Sequence, residues 1–144
     1  MTTTNKFRTL LAILLLSVIT FSCGKVTVST STSTSSDNQL YFCESYDTSK
    51  GEINKSDKFT TGSITAILNC QGKKQKFGVS EVDLKITDLS NNEVIVTAPF
   101  QVNPDLDYTY FNNVNFNTPG KYKVDCNKKD GTLIASGTVE IVNK

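Results

Sequence analysis

The sequence predicts an all-β domain, an antiparallel β-sandwich, and three observations carry that expectation. Apolar and polar residues alternate with period two in seven stretches between positions 39 and 144. No stretch there sustains a helical period, and turn-forming residues punctuate the boundaries. The length suits one sandwich with one core and leaves no room for a second domain.

Each strand has its own justification. The first, residues 39–43, alternates Leu40 and Phe42 against Tyr41 and Cys43, and a long polar connection over residues 45–57 is expected to follow. The second, residues 61–70, places Ile64, Ala66, Leu68 and Cys70 on one face. In the third, residues 78–89, Val82, Leu84 and Ile86 point inward while Glu81, Asp83, Lys85 and Thr87 point outward, the cleanest alternation in the chain. Ser90-Asn91-Asn92 then turns into a fourth strand, residues 93–100, where Pro99 marks an edge or a strand end. A fifth lies within residues 107–116 and stops at Thr118-Pro119-Gly120. The sixth, residues 121–127, aligns Tyr122, Val124 and Cys126. Lys129-Asp130-Gly131 forms a hairpin into the seventh, residues 132–142, with Leu133, Ala135, Val139 and Ile141 alternating.

Upstream of this domain the chain reads as an export address. Lys6 and Arg8 precede an apolar run from Leu10 to Phe21, too short for a membrane span of about 20 residues but suited to a signal-peptide core. Ser22 and Cys23 follow, and the arrangement resembles the type II signal peptide of bacterial lipoproteins, although Thr20 and Phe21 occupy positions where those families usually carry Leu and a small residue. The resemblance implies a signal peptide over 1–22. It also implies that Cys23 is the mature N-terminus, carrying diacylglycerol on sulfur and a palmitate-type acyl chain on nitrogen, a multi-chain anchor. Gly24 rather than Asp follows the cysteine, which in the enterobacterial sorting rule resembles an outer-membrane destination. Residues 23–38 are dominated by Ser and Thr and cannot offset the entropy of ordering, so they are expected to form a flexible tether reaching roughly 20 Å.

Within residues 39–144, the segment Pro119-Gly120-Lys121-Tyr122-Lys123-Val124-Asp125-Cys126, the Asp130-Gly131 hairpin and Gly137-Thr138-Val139-Glu140-Ile141-Val142 resemble the last two strands of bacterial immunoglobulin-like domains. The chain departs from the antibody pattern in having no Trp on the third strand. It departs again in placing Tyr122 four residues before Cys126 rather than two. The resemblance implies a seven-strand immunoglobulin-like order, in which the second and sixth strands face one another and Cys70 and Cys126 meet across the core. Export to an oxidising compartment then makes a Cys70–Cys126 disulfide the expected pairing. It would close a loop of about 57 residues worth roughly 4 kcal/mol. Cys43 is left over, either a small buried side chain or a half-exposed thiol, with pairing to Cys70 or Cys126 as the sharper alternative.

Composition excludes several functions. Removal of the signal leaves 13 lysines against 14 acidic residues, so the mature chain lacks the basic footprint of a nucleic-acid binder. It contains no His, Arg or Trp, which rules out a His-dependent catalytic site within the chain. No enzyme and no cofactor are expected. Asp105 and Asp107 offer carboxylates but lack the Gly and distal Glu of an EF-hand loop, so no metal site is expected. Two surfaces are candidates for binding. Tyr108, Tyr110 and Phe111 lie among Asn112, Asn113 and Asn115, a mixture suited to recognising protein or sugar by stacking and hydrogen bonding. Lys73, Lys74, Lys76, Lys128 and Lys129 fall in two loops expected at the tethered pole, facing the membrane. The expected function is a lipid-anchored binding or structural module for an envelope protein or glycan. The alternative is an accessory or inhibitor subunit docking on a larger envelope complex by edge-strand pairing.

Overall fold

The computed structural model describes residues 38–144, so the signal peptide, Cys23 and the Ser/Thr-rich tether up to Asp37 lie outside the described residues. The described residues form nine strands: β1 (Gln39–Asp47), β2 (Gly51–Ser56), β3 (Lys58–Thr60), β4 (Gly62–Asn69), β5 (Glu81–Asp88), β6 (Glu93–Gln101), β7 (Tyr108–Phe116), β8 (Gly120–Lys128) and β9 (Leu133–Val142). A four-stranded sheet runs β2-β1-β4-β7 and a five-stranded sheet runs β3-β9-β8-β5-β6. All pairings are antiparallel except β3 with β9. With β2 and β3 set aside, β1, β4 and β7 face β9, β8, β5 and β6 in a two-sheet β-sandwich.

The seven expected strands correspond to β1, β4, β5, β6, β7, β8 and β9, and the count is corrected by β2 and β3. Residues 45–57 are not a long connection. Asp47 Oδ1 accepts hydrogen bonds from the backbone N–H groups of Ser49 and Lys50, and Gly51 takes a positive φ of 80°, so the chain turns tightly and pairs back on itself. β2 has polar residues on both faces because it is an exposed edge, which hides its period from an apolar-alternation test.

The core lies between the sheets. Leu40, Phe42, Ile64, Ala66, Leu68, Phe111, Val114 and Phe116 come from the four-stranded side, and Val82, Leu84, Ile86, Val124, Val139 and Ile141 from the other. Tyr122 joins them through its ring, while its hydroxyl donates to the Thr118 carbonyl at 2.8 Å, a tyrosine corner anchored four residues upstream. The loop between Thr118 and Gly120 is thereby held against the start of β8.

The two lateral sides of the sandwich differ. One is closed: β3 leaves β2 and pairs with β9, Lys58 bonds Glu140 at 3.1 Å, and Asn38 Nδ2 donates to the Ile134 carbonyl. Here Gly137 allows β9 to pass directly under β1. A Cβ at this position would fall on the Leu40 carbonyl oxygen and lie 3.2 Å from the Phe42 ring. The other side is open, because β6 and β7 are both edge strands and neither sheet covers the gap.

The outward face of the five-stranded sheet is held by ion pairs. Asp125 is buried there and accepts from Ser136 Oγ at 2.7 Å, with Lys123 at 3.1 Å and Lys85 at 3.6 Å. Burial pushes its carboxyl up, but the hydroxyl and the two ammonium groups outweigh that and hold it below the usual carboxylate range.

Two outcomes are expected. Gly137→Ala forces β1 and β9 apart and lowers stability by about 1–3 kcal/mol in urea unfolding, with an unchanged m-value. Because the folded-state pKa of Asp125 is depressed, its stabilising contribution is present above the unfolded pKa near 4 and is lost as pH falls through the folded value. Thermal melts of wild type and Asp125→Asn therefore differ at pH 6 and converge towards pH 2.

Candidate functional site

β1 pairs with β4 only from Gln39 to Cys43, and beyond that point it pairs only with β2. The β1–β2 hairpin therefore leaves the sheet, and its side chains return over the outward face of β4 and β7. Tyr46 stacks on Tyr110 with ring centroids 4.2 Å apart and lies 6.3 Å from Tyr108. Glu52 Oε1 accepts from the Tyr41 hydroxyl at 2.5 Å and from the Tyr108 hydroxyl at 2.9 Å, tying three strands to one carboxylate. Lys55 Nζ sits 3.6 Å above the Tyr41 ring, a cation–π contact.

Register explains what this cover does. Cys43 is opposite Thr65 and Tyr41 is opposite Ile67, so all four project to the outward face, away from the main core. Cys43 and Ile67 are nonetheless 0 % exposed and stand apart from the inter-sheet cluster. A second, smaller buried layer thus exists under the hairpin. Burial pushes the Tyr41 phenol up to about 12, with the Glu52 carboxylate adding to the effect, and raises Tyr108 further for the same reasons.

The cysteine expectations change. Cys43 is the small buried side chain of the two readings: it is enclosed by the hairpin, and burial and Glu52 raise its thiol while the Ile53 backbone and Lys55 pull the other way. Cys70 and Cys126 do face the same core, and the nearby Cys70 raises the thiol of Cys126, but both are free thiols and the expected bridge is not formed. Burial pushes Cys70 to about 11 and Cys126 to about 12, which leaves little thiolate, the species that forms and exchanges disulfides.

The three aromatic candidates fall on two faces of β7. Tyr108 and Tyr110 lie on the outward face, Tyr110 with 36 % of its surface exposed. Phe111 belongs to the opposite parity, pairs with Ala66 and is buried against Phe100 at 5.0 Å, so it is a core residue and not a binding one.

The five candidate lysines do share a pole with Asn38, since β4 ends where β1 begins and Lys128 pairs with Val82 at the start of β5. Lys76 and Lys129 are ion-paired there. Lys129 is clamped by Glu81 at 2.5 Å and Asp83 at 2.7 Å, and Lys76 lies 3.8 Å from Asp105. Glu81, Asp83, Asp105, Asp107 and Asp130 balance Lys73, Lys74, Lys76, Lys128 and Lys129 one for one.

Sequence reasoning missed Tyr41, Tyr46 and Glu52, which build the outward layer. The available signal was Asp47-Thr48-Ser49-Lys50-Gly51, a turn cluster between two short β-prone runs. Beside this layer, where β1 departs, a groove of about 270 Å³ opens between Glu44, Ser45 and Tyr46 on one wall and Ser63, Thr65, Asn112 and Asn113 on the other. Its far wall is shaped by a β-bulge: the β4–β7 register shifts between Ile64 and Ala66, and Asn113 takes a φ of 62°.

In comparisons with known proteins, the chain matches no protein-family model and no curated protein.

The tyrosine layer makes a spectroscopic prediction. In ultraviolet titration at high pH, the Tyr41 transition is displaced upward to about 12 and that of Tyr108 lies higher still. Glu52→Gln moves the Tyr41 transition from about 12 towards 10 without reaching it, because burial is the larger cause. Since the folded-state pKa values are raised, the stability they contribute is complete below the unfolded pKa near 10 and is lost as pH rises further.

Proposed function

We propose that this protein is a non-enzymatic lipoprotein of the bacterial envelope, in the outer rather than the inner membrane, whose β-sandwich is a binding module for a protein or glycan. Cys23 carries the lipid, the Ser/Thr-rich stretch is the tether, and the outward face of the four-stranded sheet is the binding face. The observation that carries this reading is the Tyr46–Tyr110 stack, a half-exposed aromatic platform whose underlying strands are locked together by Glu52. A rigid aromatic surface loses little conformational entropy on binding, and Asn112 and Asn113 beside it supply adaptable hydrogen bonds. The platform also lies well placed for access. Along β4 the groove residue Thr65 is four residues from Asn69, roughly 13 Å from the pole at which Asn38 enters β1.

A second reading is favoured by one specific feature. β6 is an unpaired edge whose Val94, Ile95 and Val96 are 51, 54 and 43 % exposed, and beside it an apolar cleft of about 220 Å³ opens between Leu84, Ile86, Phe100 and Val114. Such an edge suits pairing with a strand of a larger envelope complex.

Cross-linking capture from native envelopes separates the two. The binding-face reading expects Tyr46→Ala with Tyr110→Ala to abolish the captured set while Thr97→Pro on β6 leaves it intact; the edge-pairing reading expects the reverse. Cys23→Ala is expected to move the protein from the membrane to the soluble fraction, and an unchanged membrane fraction would overturn the anchor.

A further inference from the structure

We infer that the groove between the departing hairpin and the β7 bulge is a binding site for a neutral saccharide, an inference that rests on the outward face being the binding face. Its walls are unusual for the molecule in being rich in hydroxyl and amide groups yet nearly free of charge: Ser45, Ser63, Thr65, Asn112 and Asn113. The outward face of the other sheet is, by contrast, laced with Lys85, Lys123, Asp125 and Lys129 in ion pairs.

The polar groups are arranged rather than merely present. Thr65, itself buried, donates from Oγ1 to Asn112 Oδ1 at 3.0 Å, which fixes the amide orientation and leaves the Asn112 NH₂ to donate. A sugar hydroxyl can accept from that NH₂. Asn113 is held at positive φ by the bulge, which brings it to the same wall as Asn112. Tyr46 forms the opposite wall, with its ring braced against Tyr110, and presents a stacking surface for the apolar C–H face of a pyranose.

Charge selects the ligand class. Among the described residues lining the groove, Glu44 alone is ionisable with a formal charge, and its Oε2 accepts from Asn54 Nδ2 at 2.6 Å. The remaining carboxylate oxygen accepts a sugar hydroxyl but repels a phosphate, sulfate or carboxylate group. No lysine lines the groove to offset that repulsion. A volume of about 270 Å³ and an open mouth suit one or two residues of a longer chain passing through.

The test uses the mature full-length protein, lipidated and held in detergent, on an array of neutral oligosaccharides (glucans, mannans and chitin fragments) printed beside sulfated and sialylated ones. Wild type is expected to retain at least one neutral oligosaccharide and none of the anionic ones. Titration of the hit is expected to give the same affinity at about 0.05 and 0.5 M salt, because there is no ligand charge to screen. Asn112→Ala and Tyr46→Ala each weaken binding by about tenfold or more, Thr97→Ala on β6 does not change it, and thermal melts confirm that the variants fold. Retention of anionic glycans only, or an affinity indifferent to Asn112→Ala and Tyr46→Ala, overturns the assignment. If no neutral oligosaccharide binds while envelope capture still depends on Tyr46 and Tyr110, the saccharide assignment fails and the binding face stands. If neither holds, both fail.

Discussion

The feature on which the rest of this structure depends is the early parting of β1 from β4. Five residues of β1 are shared with the sheet, and after Cys43 opposite Thr65 the strand belongs only to its hairpin partner β2. A strand that stayed in register would leave Cys43, Ile67, Tyr108 and Tyr110 on an ordinary solvated face. Because it departs, the hairpin folds back over them, and a second buried layer forms on the outside of a sheet whose inside is already a core. The Glu52 carboxylate is what fastens that layer: two phenols donate to the same oxygen, from β1 and from β7, so the hairpin is tied to both ends of the surface it covers.

Departure on one side has to be matched by tight contact elsewhere, and Gly137 supplies it. The lateral side where β1, β3 and β9 meet is closed by backbone approach, by a parallel pairing and by the Lys58–Glu140 ion pair. The opposite side, between β6 and β7, has no such closure and exposes Val94, Ile95 and Val96. Pro99 and the register shift between Ile86 and Thr87 interrupt the β6 edge, which limits indiscriminate pairing with other strands while leaving the apolar gap accessible. The sandwich is thus asymmetric, and its two candidate interaction surfaces lie on different faces for different physical reasons.

How much of this was legible in the sequence follows from which forces were local. Alternation identified seven strands, and at β5 it assigned every side chain from Glu81 to Thr87 to its correct face, because one face is dry and the other is lined with charge. The facing positions of Cys70 and Cys126 also followed once the strand order was right, although thiol chemistry then departed from expectation. Illegible were the elements stabilised by side chains far away in sequence. Glu52 reaches Tyr108, 56 positions along the chain, and nothing in the composition of Gly51–Ser56 announces that contact. Phe111 shows the same limit from the other direction. Within Tyr-Thr-Tyr-Phe-Asn-Asn, parity decides which aromatic is core, and the bulge at Asn112–Asn113 shifts that parity midway along β7.

That bulge links the fold to the proposed recognition. An uninterrupted β7 would present alternate residues at even spacing, and Asn112 and Asn113 would point to opposite faces. The extra residue keeps Val114 and Phe116 directed into the core while both asparagines line the groove next to Thr65. The departing hairpin contributes the facing wall through Tyr46, whose position is set by Tyr110 two strands away. Neither irregularity makes a groove alone: without the hairpin the asparagines would lie on an open sheet, and without the bulge the hairpin would overhang a flat one. Two departures from ideal sheet geometry, at the same level of adjacent strands, create a concave place lined by hydroxyl and amide groups with Glu44 as its one formal charge. That coincidence of shape and chemistry, more than the aromatic residues by themselves, is what the proposed recognition on the outward face of the four-stranded sheet rests on.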